Sequence, residues 1–191
     1  MKDINEYKLT ATVTVGQLLS WLASKDEVAK NEIITLIDHR FTNRYIKHLK
    51  QMDTGFLMMA ISCLTLETLE SFKQGKKNTR GKSGRMFEVF FKTEMTHFPG
   101  FAEIHKDFYE NVRCGILHQA ETTNAWRILL SGQLLDTPNK TINAKKFVEA
   151  LEKSIKHYRD RLQTEDFTSN IWKHAIVKLE DICNNCNLKN M

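Results

Sequence analysis

The sequence predicts an all-α protein: a helical bundle with a small β-hairpin and a short N-terminal strand. Two prolines and eight glycines occur in 191 residues, and so few turn-forming residues disfavour a β fold with many turns. Apolar residues recur every three or four positions along most of the chain, which is the pattern of amphipathic helices. Hydrophobic residues make up 41% of the chain, enough to bury a core between those helices.

The N-terminal extension, residues 1–24, is predicted to hold one strand and one short helix. Apolar and polar residues alternate over residues 8–15, as in a strand with one buried face. Gly16 ends this alternation, and residues 17–23 carry leucines and a tryptophan as in a short helix. Such a strand needs a pairing partner elsewhere in the chain.

Two long helices open the main helical domain, which spans residues 25–163. Residues 25–52 predict one amphipathic helix, or two helices joined near Arg40, with Asp26 as the N-cap or as a first-turn acid. The next helix, residues 54–74, is apolar on nearly all sides, so we expect it to be central and buried.

Glu67 lies inside this apolar helix, where a buried carboxylate needs a partner. Arg113 is one candidate for that partner. The alternative is that Glu67 points to solvent beside Glu70 and Ser71. The residues alone leave both interpretations open.

A loop over residues 73–85 follows, with six basic side chains, three glycines and no acidic residue. The glycines keep such a loop flexible, and its cations suit the phosphates of RNA through salt-sensitive ion pairs. An ordinary solvated linker has the same composition. The candidate RNA-binding residues are Lys73, Lys76, Lys77, Arg80, Lys82 and Arg85.

The second half of the domain combines shorter helices with the hairpin. Residues 86–97 predict a short helix that Pro99 ends, and a further helix starts at Phe101. The hairpin is expected near residues 125–143, where two apolar runs flank a stretch rich in turn-forming residues.

The last part of the chain is predicted to be helical. Asn143 is the N-cap of a helix over residues 144–162. The C-terminal segment, residues 164–191, holds a final helix from about residue 166 to 183, packed on the helical domain.

One helix carries the polar residues most suggestive of chemistry. Val112 and Ile116 continue its apolar face, and Gly115 interrupts it. Arg113 is followed by four residues and then by His118. An arginine followed by four to six residues and a histidine, at the end of a helix, resembles the motif of the HEPN superfamily of small all-helical domains.

The order of elements supports this resemblance, which extends over residues 27–163. Two long helices precede the motif and one long helix follows it. The resemblance implies a metal-independent endoribonuclease that works as a homodimer, without a cofactor. It also implies a toxin or anti-phage effector, for which RNA and an antitoxin or another regulatory protein are the expected partners.

The residue types suit metal-free RNA cleavage. Histidine titrates near neutrality, so His118 is the candidate acid and base for the 2′-hydroxyl and the leaving oxygen. Arginine stays cationic and binds phosphate through two hydrogen bonds, so Arg113 is the candidate for stabilising the phosphate charge. Supporting roles are expected for Cys114 and Glu67, and for Glu121 as a partner of His118 or Arg127.

The spacing argues for a site made by two chains. Five residues of an ideal helix turn through about 500°, which leaves Arg113 and His118 about 140° apart. They share a face only if the helix bends or ends, which Gly115 permits. Alternatively, two copies related by a twofold axis bring both pairs into one cleft, and the resemblance implies this second arrangement.

Cys114 departs from the family pattern, because catalytic members usually carry Asn, Asp or His directly after the arginine. A thiol is a poor hydrogen-bonding substitute, so a non-catalytic module that binds RNA, a nucleotide or a protein is the alternative function. Arg113 would then only neutralise Glu67 or Glu110. His118 would only satisfy carbonyl groups at the end of its helix.

Composition sets the cellular context. The net charge of +5 is a mild attraction to polyanions. The chain lacks both a signal-peptide core at its start and a run of about 18 apolar residues, so we expect a cytoplasmic protein without a membrane span. Cys183 and Cys186 have the spacing of half a zinc site without a second pair, and no metal site is predicted.

Overall fold

The computed structural model describes residues 3–186, and this part of the chain is mostly helical with one small sheet. Residues 1–2 and 187–191, the ends of the predicted terminal segments, lie outside it. The α-helices are α1 (Val15–Ser24), α2 (Glu27–Asp38), α3 (Lys47–Leu49), α4 (Gly55–Lys73), α5 (Ser83–Thr93), α6 (Phe101–Phe108), α7 (Cys114–Gln119), α8 (Ala144–Thr164) and α9 (Asn170–Asn184).

The chain divides into two compact units that are discontinuous in sequence. The first unit contains the residues up to Arg40, the segment Ser71–Asn78, and the residues from Tyr158 onward. The second unit contains Phe41–Glu70 and Thr79–His157. The chain therefore crosses from one unit to the other four times: after Arg40 and within α4 and α8, all in helical segments, and in the loop after Asn78.

The first unit is a helical cluster whose helix starts are fixed by side chains. Thr14 caps α1 and forms a reciprocal capping box with Gln17. Asp26 caps α2 by accepting a 2.8 Å hydrogen bond from the N–H of Ala29, as the sequence predicts. Trp172 of α9 is fully buried and donates its indole N–H to the carbonyl oxygen of Leu162 at 2.9 Å.

The second unit is organised around a cluster of phenylalanine rings from α5, α6, α8 and the turn between α5 and α6. Phe108 and Phe147 stack with ring centroids 5.6 Å apart and planes only 2° from parallel. Phe91 packs edge-on against Phe108 at 5.1 Å. The rings of the cluster are fully buried and belong to Phe87, Phe90, Phe91, Phe98, Phe101, Phe108 and Phe147.

The small sheet differs from the predicted hairpin. Strands form at both predicted places, β1 (Arg127–Leu129) and β3 (Thr141–Asn143), but they pair in parallel. A further short strand, β2 (Leu135–Asp136), pairs with β3 in the antiparallel sense, giving the order β1-β3-β2. The sequence pattern locates strands without giving their direction, so the predicted pairing was wrong.

The predicted N-terminal strand over residues 8–15 was also wrong. Only Lys8 and Thr14 form an isolated bridge, because the chain turns between them. The hydroxyl of Thr10 accepts a 2.9 Å hydrogen bond from the N–H of Val13, which closes that turn. Val15, which was assigned to the strand, is instead the first residue of α1 and is fully buried.

Two of the helical runs contain π-helical segments. The segment His39–Ile46 joins α2 to α3, so the predicted joint near Arg40 is a change of helix type and not a break. The segment Tyr109–Arg113 joins α6 to α7. Such wide turns are rare and are often found at functional sites, and Arg113 ends the second one.

Helix α4 is mostly but not completely buried. It is long and apolar enough by composition to cross a membrane, yet 56% of its apolar window is buried inside the structure, as in the core helix of a soluble protein. Leu57 and Leu64 are 45% and 47% exposed. Because they lie two helical turns apart, they mark one apolar face of α4 that residues 3–186 leave exposed.

The phenylalanine cluster predicts a large stability loss for Phe108→Ala. Removing a ring that packs against four others should lower the free energy of unfolding by about 3–5 kcal/mol, because a cavity replaces those contacts. Denaturant unfolding would measure it. Leu129→Ala, at a 39% exposed position, is the control and should change stability little. An equal effect of both variants would contradict a core centred on these rings.

Candidate functional site

Arg113 forms an ion pair with Glu67 within the second unit. The Nη2 atom of Arg113 lies 3.1 Å from Oε2 of Glu67. Their side chains are only 17% and 13% exposed, so water screens this pair weakly. Of the two alternatives for Glu67, the structure shows the pairing with Arg113 and not a side chain that points to solvent.

The second carboxylate oxygen of Glu67 holds the end of the basic loop. Oε1 accepts hydrogen bonds from the hydroxyls of Thr79 and Ser83 at 2.5 and 2.7 Å. Both hydroxyls come from the segment that leads into α5, and neither was a sequence-predicted site residue. In the sequence they stood out only by lying among basic residues, and that position does not show whether their hydroxyls bond to the protein core or to solvent.

The guanidinium of Arg113 is enclosed by two further side chains. Its central carbon lies 5.4 Å from the ring centroid of Tyr109, and Nη1 lies 3.9 Å from the sulfur of Cys114. Burial lowers the pKa of Arg113, but the hydrogen bond to Cys114 and the charge of Glu67 outweigh burial and raise it overall. Arg113 is therefore a permanent, oriented cation.

The neighbouring acids are held in their neutral forms by burial. Burial, with the nearby Cys114, raises the pKa of the Tyr109 phenol. Burial also raises the pKa of Cys63, which faces the same region from α4, to about 12, despite the opposing charge of Arg113. Neither group supplies an anion near neutral pH, so Glu67 is the carboxylate that balances Arg113.

His118 takes no part in this ion pair. It is exposed in the last turn of α7, and within residues 3–186 its imidazole makes no hydrogen bond or ion pair with Arg113. One chain therefore does not bring the two motif residues together, as the angle between them on an ideal helix predicts. Within residues 3–186, the side chain of Glu121 accepts hydrogen bonds from the N–H and the hydroxyl of Thr122 and forms no hydrogen bond with His118 or Arg127.

Gly115 lets the chain fold back onto the motif helix. It does not end the helix, which continues to Gln119 and stops at Ala120 in a left-handed conformation. A Cβ atom at Gly115 would lie 2.6 Å from the carbonyl oxygen of Glu121 and 3.2 Å from the Cα of Thr122. Only glycine permits this approach of backbone to backbone.

Polar groups of the motif helix hold the returning segment in place. Asn111 accepts a 2.7 Å hydrogen bond from the hydroxyl of Thr123 at its amide oxygen, and its backbone carbonyl accepts the N–H of Thr123. Asp107 accepts the indole N–H of Trp126 at 2.8 Å and the amide of Asn111 at 2.7 Å. This network positions the end of the motif helix, and the sequence analysis did not identify it.

The six basic residues of the loop divide between the two units. Lys73, Lys76 and Lys77 belong to the first unit, and the other three belong to the second. In the second unit Arg85 forms a 2.6 Å ion pair with Glu88. Hydrogen bonds from Lys92 and Arg85 lower the pKa of Glu88 to about 2.

The other two basic residues that the loop contributes to the second unit, Arg80 and Lys82, have exposed side chains. They lie in the segment whose ends, Thr79 and Ser83, bond to Glu67. The structure thus connects this half of the basic loop to Arg113 through a single carboxylate.

No protein-family model, no curated protein and no solved structure matches the chain.

The close approach at Gly115 predicts that Gly115→Ala is destabilising. Alanine gains about 1 kcal/mol in helix propensity, but its Cβ must displace the backbone of residues 121 and 122, and such overpacking costs about 1–3 kcal/mol. We expect a lower melting temperature, measured by circular dichroism.

Gly84→Ala is the matched control, because the three atoms nearest to its added Cβ would all belong to the ring of Tyr109, at 3.3 Å or more. A side chain can move where a backbone cannot, so this variant should keep the wild-type melting temperature or exceed it. A stabilised Gly115→Ala protein would contradict the packing described above.

Proposed function

We propose that this protein is a dimeric, metal-independent endoribonuclease of the HEPN type, in which Arg113 binds the scissile phosphate and His118 transfers protons. The observation that supports this most is the mostly buried guanidinium of Arg113, held charged and oriented by Glu67, five residues before an exposed histidine. Metal-free phosphodiester cleavage needs a fixed cation for the phosphate charge and a side chain that transfers protons.

Arg113 keeps donors for a substrate while it is paired. Guanidinium carries five N–H groups, and the contacts to Glu67 and Cys114 involve only Nη2 and Nη1. Glu67 fixes the plane of the group, so little side-chain entropy is lost when a phosphate binds. Glu67 is thus a positioning residue for the phosphate-binding arginine.

His118 supplies proton transfer in this proposal. As a base it removes the proton of the ribose 2′-hydroxyl, which then attacks the adjacent phosphorus. As an acid it protonates the leaving 5′-oxygen. The products are a 2′,3′-cyclic phosphate and a free 5′-hydroxyl, and no metal takes part.

A second copy of the chain completes the site. Arg113 and His118 of one chain do not meet, whereas a twofold axis through the motif helices brings the arginine of one copy towards the histidine of the other. Two exposed leucines suit such an interface. Leu64 is 47% exposed and lies three residues before Glu67, the partner of Arg113, and Leu117 is 48% exposed and precedes His118. Apolar side chains of this size favour burial on association.

RNA reaches the site along the basic segment of the second unit. Arg80 and Lys82 are exposed between the two residues that bond to Glu67, so their charges attract phosphates near Arg113. The first three lysines of the loop extend the positive charge along the sequence. The same proposal includes an antitoxin or another regulatory protein as a binding partner. It also places the protein in the cytoplasm.

A non-catalytic RNA-binding module is the second candidate, and the residue that follows Arg113 favours it. Cys114, which follows the arginine, adds no strong hydrogen-bonding group. This candidate keeps the fold and the RNA affinity without cleavage.

Cleavage of labelled single-stranded RNA in the presence of EDTA tests the proposal. Wild-type protein should produce 2′,3′-cyclic phosphate ends, and His118→Ala should reduce the rate by about 10²–10⁴-fold because the general acid and base is lost. His48→Ala, at another exposed histidine of the second unit, is the control and should cleave as the wild type does.

Binding measured on the same RNA separates the two candidates. If the folded wild type binds RNA without cutting it over a panel of sequences, the enzyme proposal is wrong and the binding module is supported. If His118→Ala cuts as fast as the wild type, the activity does not come from this motif.

The proposed interface predicts that Leu117→Asp converts a dimer into a monomer. A charge placed at this exposed apolar position disfavours burial between copies while leaving the fold of one chain intact. Sedimentation velocity would measure the mass, and the RNA assay should show loss of cleavage with it. Leu129→Asp, at an exposed leucine outside the proposed interface, is the matched control and should remain dimeric.

A further inference from the structure

Glu94, His97 and His157 form a cluster of one carboxylate and two imidazoles in the second unit. One potential ligand atom from each residue lies within 4.8 Å of the other two. The two imidazole rings approach edge to face, with centroids 6.2 Å apart. None of these residues belongs to the proposed nuclease site, and the sequence analysis predicted no metal site.

Local structure fixes the first two residues of the cluster. Glu94 directly follows α5, and its backbone carbonyl accepts the N–H groups of His97 and Phe98 at 2.9 and 2.8 Å. Phe98 is fully buried in the phenylalanine cluster, so this turn is anchored to the core. The spacing Glu-x-x-His therefore places both side chains on one tight turn.

Helix α8 supplies the third residue and a supporting hydrogen bond. His157 is exposed on α8, and Ser154 lies one turn before it. The hydroxyl of Ser154 donates a 2.8 Å hydrogen bond to Oε2 of Glu94. Ser154 itself is fully buried.

Glu94 is the informative member, because its residue is only 5% exposed. A carboxylate at such a depth is costly unless cations or hydrogen bonds compensate for its lost hydration. Two imidazoles close to it, and a serine that orients it, are the arrangement found around metal ions, where hydrogen bonds to a ligand carboxylate fix its direction.

We propose that Glu94, His97 and His157 bind a divalent transition-metal ion, with Zn²⁺ as the best match. Two histidines and one glutamate are a ligand set that zinc uses, with bonds of about 2.0–2.2 Å and a fourth position left for water. Exposed His157 has room to turn its ring and close the remaining distance. The ion would then clamp the turn after α5 to α8.

The proposal is independent of the proposed nuclease activity. The zinc ion takes no part in RNA cleavage, so EDTA should empty this site without affecting a reaction that depends on Arg113 and His118. A failure of either proposal therefore leaves the other unchanged.

Zinc binding by the full chain, purified without a histidine tag, tests the proposal. After dialysis against Zn²⁺, elemental analysis should find one equivalent per chain, and titration with a competing chromogenic chelator should give its affinity. Co²⁺ should also bind and give the visible absorption of a low-symmetry site with few ligands. Added Zn²⁺ should raise the melting temperature, because the ion binds only the folded form.

Single-residue variants identify the ligands. Loss of a hydrogen bond to a metal ligand lowers metal affinity about 10–100-fold. His157→Gln and His97→Gln each remove a ligand itself, so each should lower the Zn²⁺ affinity by more than that. Ser154→Ala should lower it by about that smaller factor, since it removes only the bond that orients Glu94. Because His157 is exposed, its substitution leaves the fold intact, which a melting curve without metal would check.

His48→Gln and Cys186→Ser are the controls, since each removes a potential ligand outside the cluster. Both should bind Zn²⁺ as the wild type does. The proposal is overturned if the wild type binds no Zn²⁺ at micromolar concentrations, or if His97→Gln and His157→Gln bind it unchanged. Loss of binding in Cys186→Ser alone would place the ion at the C-terminal cysteines and also overturn the proposal.

Discussion

The Glu67 carboxylate is the group on which the arrangement of the candidate site depends. It lies in an apolar helix, where removal from water is costly, and each of its oxygens is compensated by a different part of the second unit. One oxygen holds Arg113 at 3.1 Å, and the other holds Thr79 and Ser83. A single buried charge therefore fixes the motif arginine and the end of the basic loop together.

Dense packing fixes what surrounds this charge. The phenylalanine cluster holds α5, α6 and α8 together, so the helix that leads to Arg113 has a defined position. Gly115 lets residues 121 and 122 come within contact of that helix, and the network of Asp107 and Asn111 keeps them there. The exposed end of α7, which carries His118, thus extends from a rigid base.

The sequence was informative wherever one helix face or one cap decides the structure. Asp26 and Asn143 were identified as caps, and both accept the expected backbone N–H. Two helical segments that meet near Arg40, and Arg113 as the partner of Glu67, were each one of two alternatives that the residues left open. The failures lie in the β elements, because alternation over residues 8–15 resembles a strand even though a threonine hydroxyl turns the chain there.

By itself, the sequence determined the helical class, most helix positions, and the motif with its charged neighbours, because these follow from periodicity and residue chemistry within about 20 positions. The tertiary structure decided which distant groups meet. Glu67 reaches Arg113 across 46 residues, and His157 reaches Glu94 across 63. Periodicity carries no information about such contacts, since they arise from the way helices pack and from the direction in which strands pair.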